Sequence, residues 1–137
     1  MTLPDTLELQ PHPEGGLYRQ TWVSPDTVTL PDGRVRPTAT LIYFLLPAGE
    51  SSAWHRVSSA ETWLAHTGTV ELQYGGSGPS PVDGDVVAVG VDVAAGESPQ
   101  ALVPAGVWQR TLPSTADALV SCLVSPGFDF ADFELVP

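Results

Sequence analysis

The chain contains no lysine, a single cysteine and only five positively charged side chains, all of them arginine. Without lysine there is no Schiff-base chemistry, no lysine-held pyridoxal phosphate and no Walker-type phosphate loop. Cys122 stands alone, so an intrachain disulfide is excluded. Its surroundings, "ALVSCLV", read as those of a small buried thiol. Sixteen acids against five arginines leave a net charge of -11. That balance repels phosphate backbones and anionic lipid, and argues against nucleic-acid and membrane-surface partners. No stretch approaches the ~18 consecutive apolar residues of a membrane span. The opening "MTLPDTLELQPHPEGG" has neither a basic start nor an apolar core of the kind a signal peptide carries. A soluble, cytoplasmic protein is the expectation.

Proline and glycine are abundant, 14 and 13 in 137 residues. They break the chain too often for long amphipathic helices. Between the breaks lie short runs rich in Val, Thr, Leu, Trp and Tyr: "GLYRQTWVS", "TATLIYFLL", "SAWHRV", "ETWLAHTG", "TVELQYG", "VVAVGVDV", "QALVPAG", "WQRTL" and "ALVSCLVS". Regularly spaced short strands with turn signals between them predict an all-β sandwich or barrel. Helical pieces are expected only near Leu7 and around Asp129 to Phe133. "SPDTVTLPDGRVRPT" reads as a hairpin or long connection turning at Asp32–Gly33, and "YGGSGPSPVDGD" as an exposed loop. No repeat or internal boundary appears, so one domain is expected over 1–137.

The chemistry concentrates in "GESSAWHRVSSAETWLAHTG". Side chains alternate along a strand. His55 and Val57 therefore share one face, with Trp54 and Arg56 on the other. Glu61, Trp63 and Ala65 share a face of the following strand, and His66 takes the outward parity. If the two strands are neighbours in a barrel, His55 and Glu61 converge inside it. Downstream, "VPAGVWQR" turns at Pro104–Gly106 and places Val107, Gln109 and Thr111 on one face. Trp54 and Trp108 fall on the opposite parity, suited to packing or dimer contacts.

Gly49, His55, Glu61 and Gly68 have the spacing of the first cupin motif, with Val57 in place of its second histidine. Pro104 and Gly106 match the centre of the second motif, and Gln109 falls at its last histidine. "HPEGGLYRQTW", "TATLIYFLLPAGESSAWHRV", "AETWLAHTG", "PQALVPAGVWQ" and "VSCLVSPGFDFADFEL" resemble the DUF985 (Cupin_5) family of the cupin superfamily almost end to end. The resemblance implies a double-stranded β-helix, that is a jelly-roll barrel, paired as a homodimer. One position departs from the family: Leu64 stands where relatives carry a histidine.

Cupin barrels host many activities, so the site has to be argued from its own residues. Metal-dependent members offer three histidines and a glutamate. This chain offers His55 and Glu61, an aliphatic Val57, and the weakly ligating amide of Gln109. No cofactor is expected on that set. A weak divalent-metal site of His55, Glu61 and Gln109 with water is one alternative. A second is a metal-free isomerase or epimerase. There Glu61 would orient His55 as acid or base toward a small polar, sugar-like or carboxylate molecule. Metal-free epimerases of the superfamily pair such a histidine with a tyrosine, and Tyr18 and Tyr43 are the phenols to consider. A third alternative is a non-catalytic metabolite-binding module.

Gln109 reads equally as a ligand contact or as the partner that satisfies Glu61. Trp63 reads as core or as a stacking wall for a ring. His12 reads first as part of a rigid turn, while Glu14, Gly15, Gly16 and Tyr18 are candidates for the pocket mouth. The arginines read mostly as ion pairs, with one or two available to an anionic ligand. Phe128, Phe130 and Phe133 are expected to seal one end of the barrel.

Overall fold

A computed structural model describes residues 2–136; Met1 and Pro137, included in the expected domain, lie outside the described residues. A short helix α1 (Leu3–Thr6) opens the chain, capped by the Thr2 side chain, with Leu7 at its C-cap. Thirteen strands follow. They are β1 (Gln10–Pro11), β2 (Leu17–Val23), β3 (Thr27–Thr29), β4 (Val35–Pro37), β5 (Thr40–Leu46), β6 (His55–Val57) and β7 (Ala60–Thr67). Then come β8 (Val70–Tyr74), β9 (Val86–Val89), β10 (Gln100–Val103), β11 (Gln109–Thr111), β12 (Ala118–Ser125) and β13 (Phe133–Leu135).

Two antiparallel sheets face each other. One runs β1-β2-β5-β12-β7-β10 and the other β13-β6-β11-β8-β9. The β3–β4 hairpin projects separately and turns as expected, with the Gly33 N–H donating to the Leu30 carbonyl at 2.9 Å. The tail turn also falls where it was expected, as a 3-10 turn over Phe130–Asp132. A second such turn, Val93–Ala95, starts at the last residue of "VVAVGVDV", which pairs as strand only over Val86–Val89; the Asp92 side chain caps the turn and Gly96 ends it. Strand β6 is shorter than "SAWHRV", since only residues 55–57 pair.

One expectation needs correcting. Strands β6 and β7 do not pair: β6 lies in the five-stranded sheet and β7 in the six-stranded one. His55 and Glu61 therefore approach from opposite sheets across the interior.

The interior changes character along β5 and β12, which pair residue for residue from Ala118↔Leu46 to Val124↔Thr40. At one end their inward side chains are Phe44, Leu46, Ala118 and Val120, which join Trp63, Val70, Leu72, Val89 and Val103 in a dry core. At the other end the inward residues are Thr40, Ile42, Cys122 and Val124, and these line a cavity. The aliphatic packing stops where polar groups from the facing sheet begin.

Candidate functional site

The site begins with a turn. In His12-Pro13-Glu14-Gly15-Gly16 the His12 N–H donates to the Gly16 carbonyl and the Gly15 N–H to the His12 carbonyl, both at 3.0 Å. Gly15 and Gly16 take φ of 108° and 75°, where a side chain is strained. A Cβ on Gly15 would stand 2.7 Å from the Ser51 carbonyl oxygen, and one on Gly16 would stand 2.6 Å from the Phe44 ring. Only glycines let this turn lie flat on the barrel. The turn is fastened to the approach to β6, where the Ala53 N–H donates to the Glu14 carbonyl at 2.7 Å. The result is a buried Glu14 beside His55.

Proton positions follow from the partners. His55 Nδ1 lies 2.8 Å from the Ala53 carbonyl oxygen, which can only accept, so Nδ1 carries a hydrogen. His55 Nε2 lies 2.9 Å from Glu14 Oε2. A bare Nε2 facing a carboxylate would set two acceptors against each other, so Nε2 carries a hydrogen as well. Burial alone would lower the His55 pKa. The Glu14 carboxylate, with Glu61 beyond it, outweighs that and raises it to about 9. His55 is therefore an imidazolium at neutral pH. The approach is close but not aligned as a hydrogen bond, and Glu14 Oε2 has no hydrogen-bond partner. Charge, rather than a directed bond, holds this pair together.

His12 is set the other way. Its Nδ1 accepts from the Glu14 N–H at 3.1 Å, so the hydrogen sits on Nε2. Burial lowers its pKa; Glu14 opposes that and His55 adds to it. The 3.4 Å approach of His12 Nδ1 to Glu14 Oε1 is therefore no ion pair.

Glu61 is held by a chain of directed bonds. The Gln109 amide donates to Glu61 Oε1, and the Trp63 indole N–H donates to Gln109 Oε1, each at 2.9 Å. An indole only donates and a carboxylate oxygen accepts, which fixes the orientation of the amide. Burial raises the Glu61 pKa, with Glu14 pushing the same way and His55 and the Gln109 bond opposing. The Cys122 thiol is pushed up by burial and by the neighbouring Glu61 and Glu14.

The cavity has a volume of about 420 Å³. Glu14, His55, Glu61 and Cys122 are among its polar lining residues, and Ile42, Val57 and Val124 form its aliphatic wall. The tail covers it with Phe128, Asp129, Phe130 and Phe133, as expected of those phenylalanines. Phe128, Phe130 and Phe133 pack edge to face with centroids 4.9 to 5.9 Å apart. Asp132, its side chain 2% exposed, pins this cover to the β3–β4 hairpin through Arg34 and Arg36. Those arginines hold its carboxyl below the usual range.

The predicted residues thus divide. His55, Glu61, Glu14 and Tyr18 line the cavity. Gln109 and Trp63, each 1% exposed, stand behind Glu61 and off the cavity wall. Tyr43 is on the other face of β5, near His66. The carboxylate paired with His55 is Glu14, where sequence reasoning favoured Glu61. His12, read as a turn residue, and Cys122, read as plain core, are both in the lining. The histidine-proline-glutamate-glycine-glycine run was the available signal, because paired glycines allow a close backbone approach.

The donor set does not fit a cupin metal. His55 presents one nitrogen to Ala53 and the other to Glu14. Val57 has no donor atom, and the Gln109 amide oxygen is taken by Trp63. Among the described residues no group of three or more His, Cys, Asp or Glu is arranged to hold a metal ion.

The family model described as "Cupin superfamily (DUF985)" matches residues 2–136. A hypothetical protein from Leishmania major is 36% identical, with 97% of this chain and 84% of that one covered and a TM-score of 0.87. A protein from Shewanella oneidensis is 37% identical, with 99% and 85% covered and a TM-score of 0.83. A Klebsiella pneumoniae protein with a double-stranded β-helix domain shares the fold at 15% identity, with 100% and 96% covered and a TM-score of 0.63. Comparison with curated proteins gave no match. With its jelly-roll sheets, its near-complete family match and two relatives above a third identical, the chain belongs to the DUF985 family of the cupin superfamily.

Proposed function

We propose that the barrel binds a small polar molecule and that His55 and Glu14 move a proton on it, in an isomerase- or epimerase-type reaction. The supporting observation is Glu14 Oε2: buried, on the cavity wall, without a hydrogen-bond partner and 2.9 Å from His55 Nε2. A charged histidine is the acid of such a pair, and the carboxylate is its base. Tyr18 lines the same cavity and is the phenol available to the reaction.

The test is a metabolite screen by thermal shift, followed by turnover assays of the hits. His55→Ala and Glu14→Gln should each abolish turnover while keeping the fold. Unchanged turnover in either variant would overturn the proposal. A non-catalytic binding module is the second reading, favoured by one observation: His55 is only 1% exposed and could polarise a ligand without releasing its proton. Wild-type binding without turnover is the outcome that selects it.

Pairing into a homodimer belongs to the same proposal. The face of the large sheet turned away from the cavity carries Leu41, Tyr43, Leu64, Leu119 and Leu123, an apolar surface that a second copy would cover. Light scattering that returned a monomer at micromolar concentration would remove this part.

A further inference from the structure

The cavity contains an unfilled acceptor and no guanidinium or ammonium group. Glu14 Oε2 is the acceptor; the residue is 8% exposed, so bulk water reaches it poorly. That oxygen is ion-paired with His55 Nε2 at 2.9 Å but has no aligned donor, and a ligand that donates to it adds the missing hydrogen bond. None of the lining residues is an arginine. All five arginines have carboxylate partners elsewhere: Arg19 with Glu8, Arg34 and Arg36 with Asp132, Arg56 with Glu134, and Arg110 with Asp83. Three carboxyl side chains, Glu14, Glu61 and Asp129, line the cavity against one charged histidine already facing Glu14. Arginine is the usual means of holding a carboxylate or phosphate in a partly buried site, and here it is missing.

We infer that the ligand is an N–H or O–H donor with no negative charge, an alcohol or an amine with an apolar face. This rests on the cavity being the binding site proposed above, and it narrows that proposal by removing the carboxylate class. The donor meets Glu14 Oε2, while the apolar face lies on Ile42, Val124 and the phenylalanine cover.

Three probes on one skeleton test it: cyclohexanol, cyclohexylamine and cyclohexanecarboxylate, titrated against the full chain and followed by the His55 and Phe133 ring resonances. The alcohol or the amine should bind at least about tenfold more tightly than the acid, the size of one charge-assisted hydrogen bond. Added salt separates the two donors, since only amine binding weakens with it. Equal or tighter binding of the acid overturns the inference, as does failure of all three probes to move those resonances. Gln20→Arg, at an exposed position in the lining, supplies the missing cation. It should raise the affinity for the acid about tenfold relative to that for the alcohol; no relative gain for the acid also counts against the missing cation.

The outcomes separate the two proposals. A preferred acid probe together with His55-dependent turnover of a screening hit would sink the ligand class and spare the proton-transfer reading. Bound donors together with no turnover would do the reverse.

Discussion

Glu14 and Glu61 line one cavity and are both buried, yet they are held by opposite means. Glu61 has a directed donor, itself fixed by a second donor behind it. Glu14 sits on a glycine turn, faces a charged ring, and keeps one oxygen without a hydrogen bond. The carboxyl with a directed donor belongs to the frame of the barrel. The unfilled one has capacity left for something that enters. Hydrogen-bond satisfaction, more than burial or motif position, is what separates the two carboxyls.

The largest effect on stability should come from breaking the Glu61 side. Gln109→Leu leaves a buried carboxyl and a buried indole N–H without partners. At about 1–3 kcal/mol for each unpaired group, the loss should be about 3 kcal/mol in urea denaturation. A loss below about 1 kcal/mol would mean Glu61 is not held by this chain. Trp63→Phe removes only the outer donor and should cost about 1–2 kcal/mol, beyond which any further loss reflects packing.

The Glu14 side should reveal itself through pH. The His55 pKa in the folded chain, about 9, lies above its ordinary value of 6.5. Its contribution to stability is therefore complete below pH 6.5 and lost as pH rises toward 9. Denaturation series across that window should show wild-type stability falling. Glu14→Gln should be flatter, with the gap between the two proteins closing near pH 9. Parallel curves would show that Glu14 does not set the His55 charge. Glu61, also raised, weakens the fold from about pH 4.5 upward, so its contribution begins below the histidine window.

The smallest effect calibrates the others. Arg110 and Asp83 meet at 3.4 Å with the aspartate side chain 73% exposed. Asp83→Asn should change stability by under about 0.5 kcal/mol. A larger change would place these surface charges on the same scale as the buried pair.

Much of this was readable in the residues. Strand alternation placed His55 and Val57 inward, and motif spacing singled out Glu61. The interruption of the ligand set by Val57 and Gln109 was plain. What alternation cannot supply is the partner of an inward side chain. It names a face of one strand, while the pairing is decided by how sheets and turns meet. Hence the expectation that β6 and β7 are neighbours failed, and Glu61 was matched to His55 in place of Glu14. The position of Glu14 depends on Gly15 and Gly16 lying against Ser51 and Phe44, a long-range contact with no local periodicity. The site's second histidine was hidden for the same reason, since His12 looks like a turn residue until the turn folds onto the barrel. Gln109 had two readings of equal weight, and only the indole of Trp63 behind it turns the amide toward Glu61.

Glu14, and not Glu61, sets the charge of His55. Nitrogen-detected NMR of the His55 ring at pH 7.5 tests it most directly, in wild type, Glu14→Gln and Glu61→Gln. Wild type and Glu61→Gln should show an imidazolium with hydrogens on both nitrogens. Glu14→Gln should show a neutral ring with its hydrogen on Nδ1. A neutral His55 in wild type, or a ring that loses its charge with Glu61→Gln and keeps it with Glu14→Gln, would contradict it.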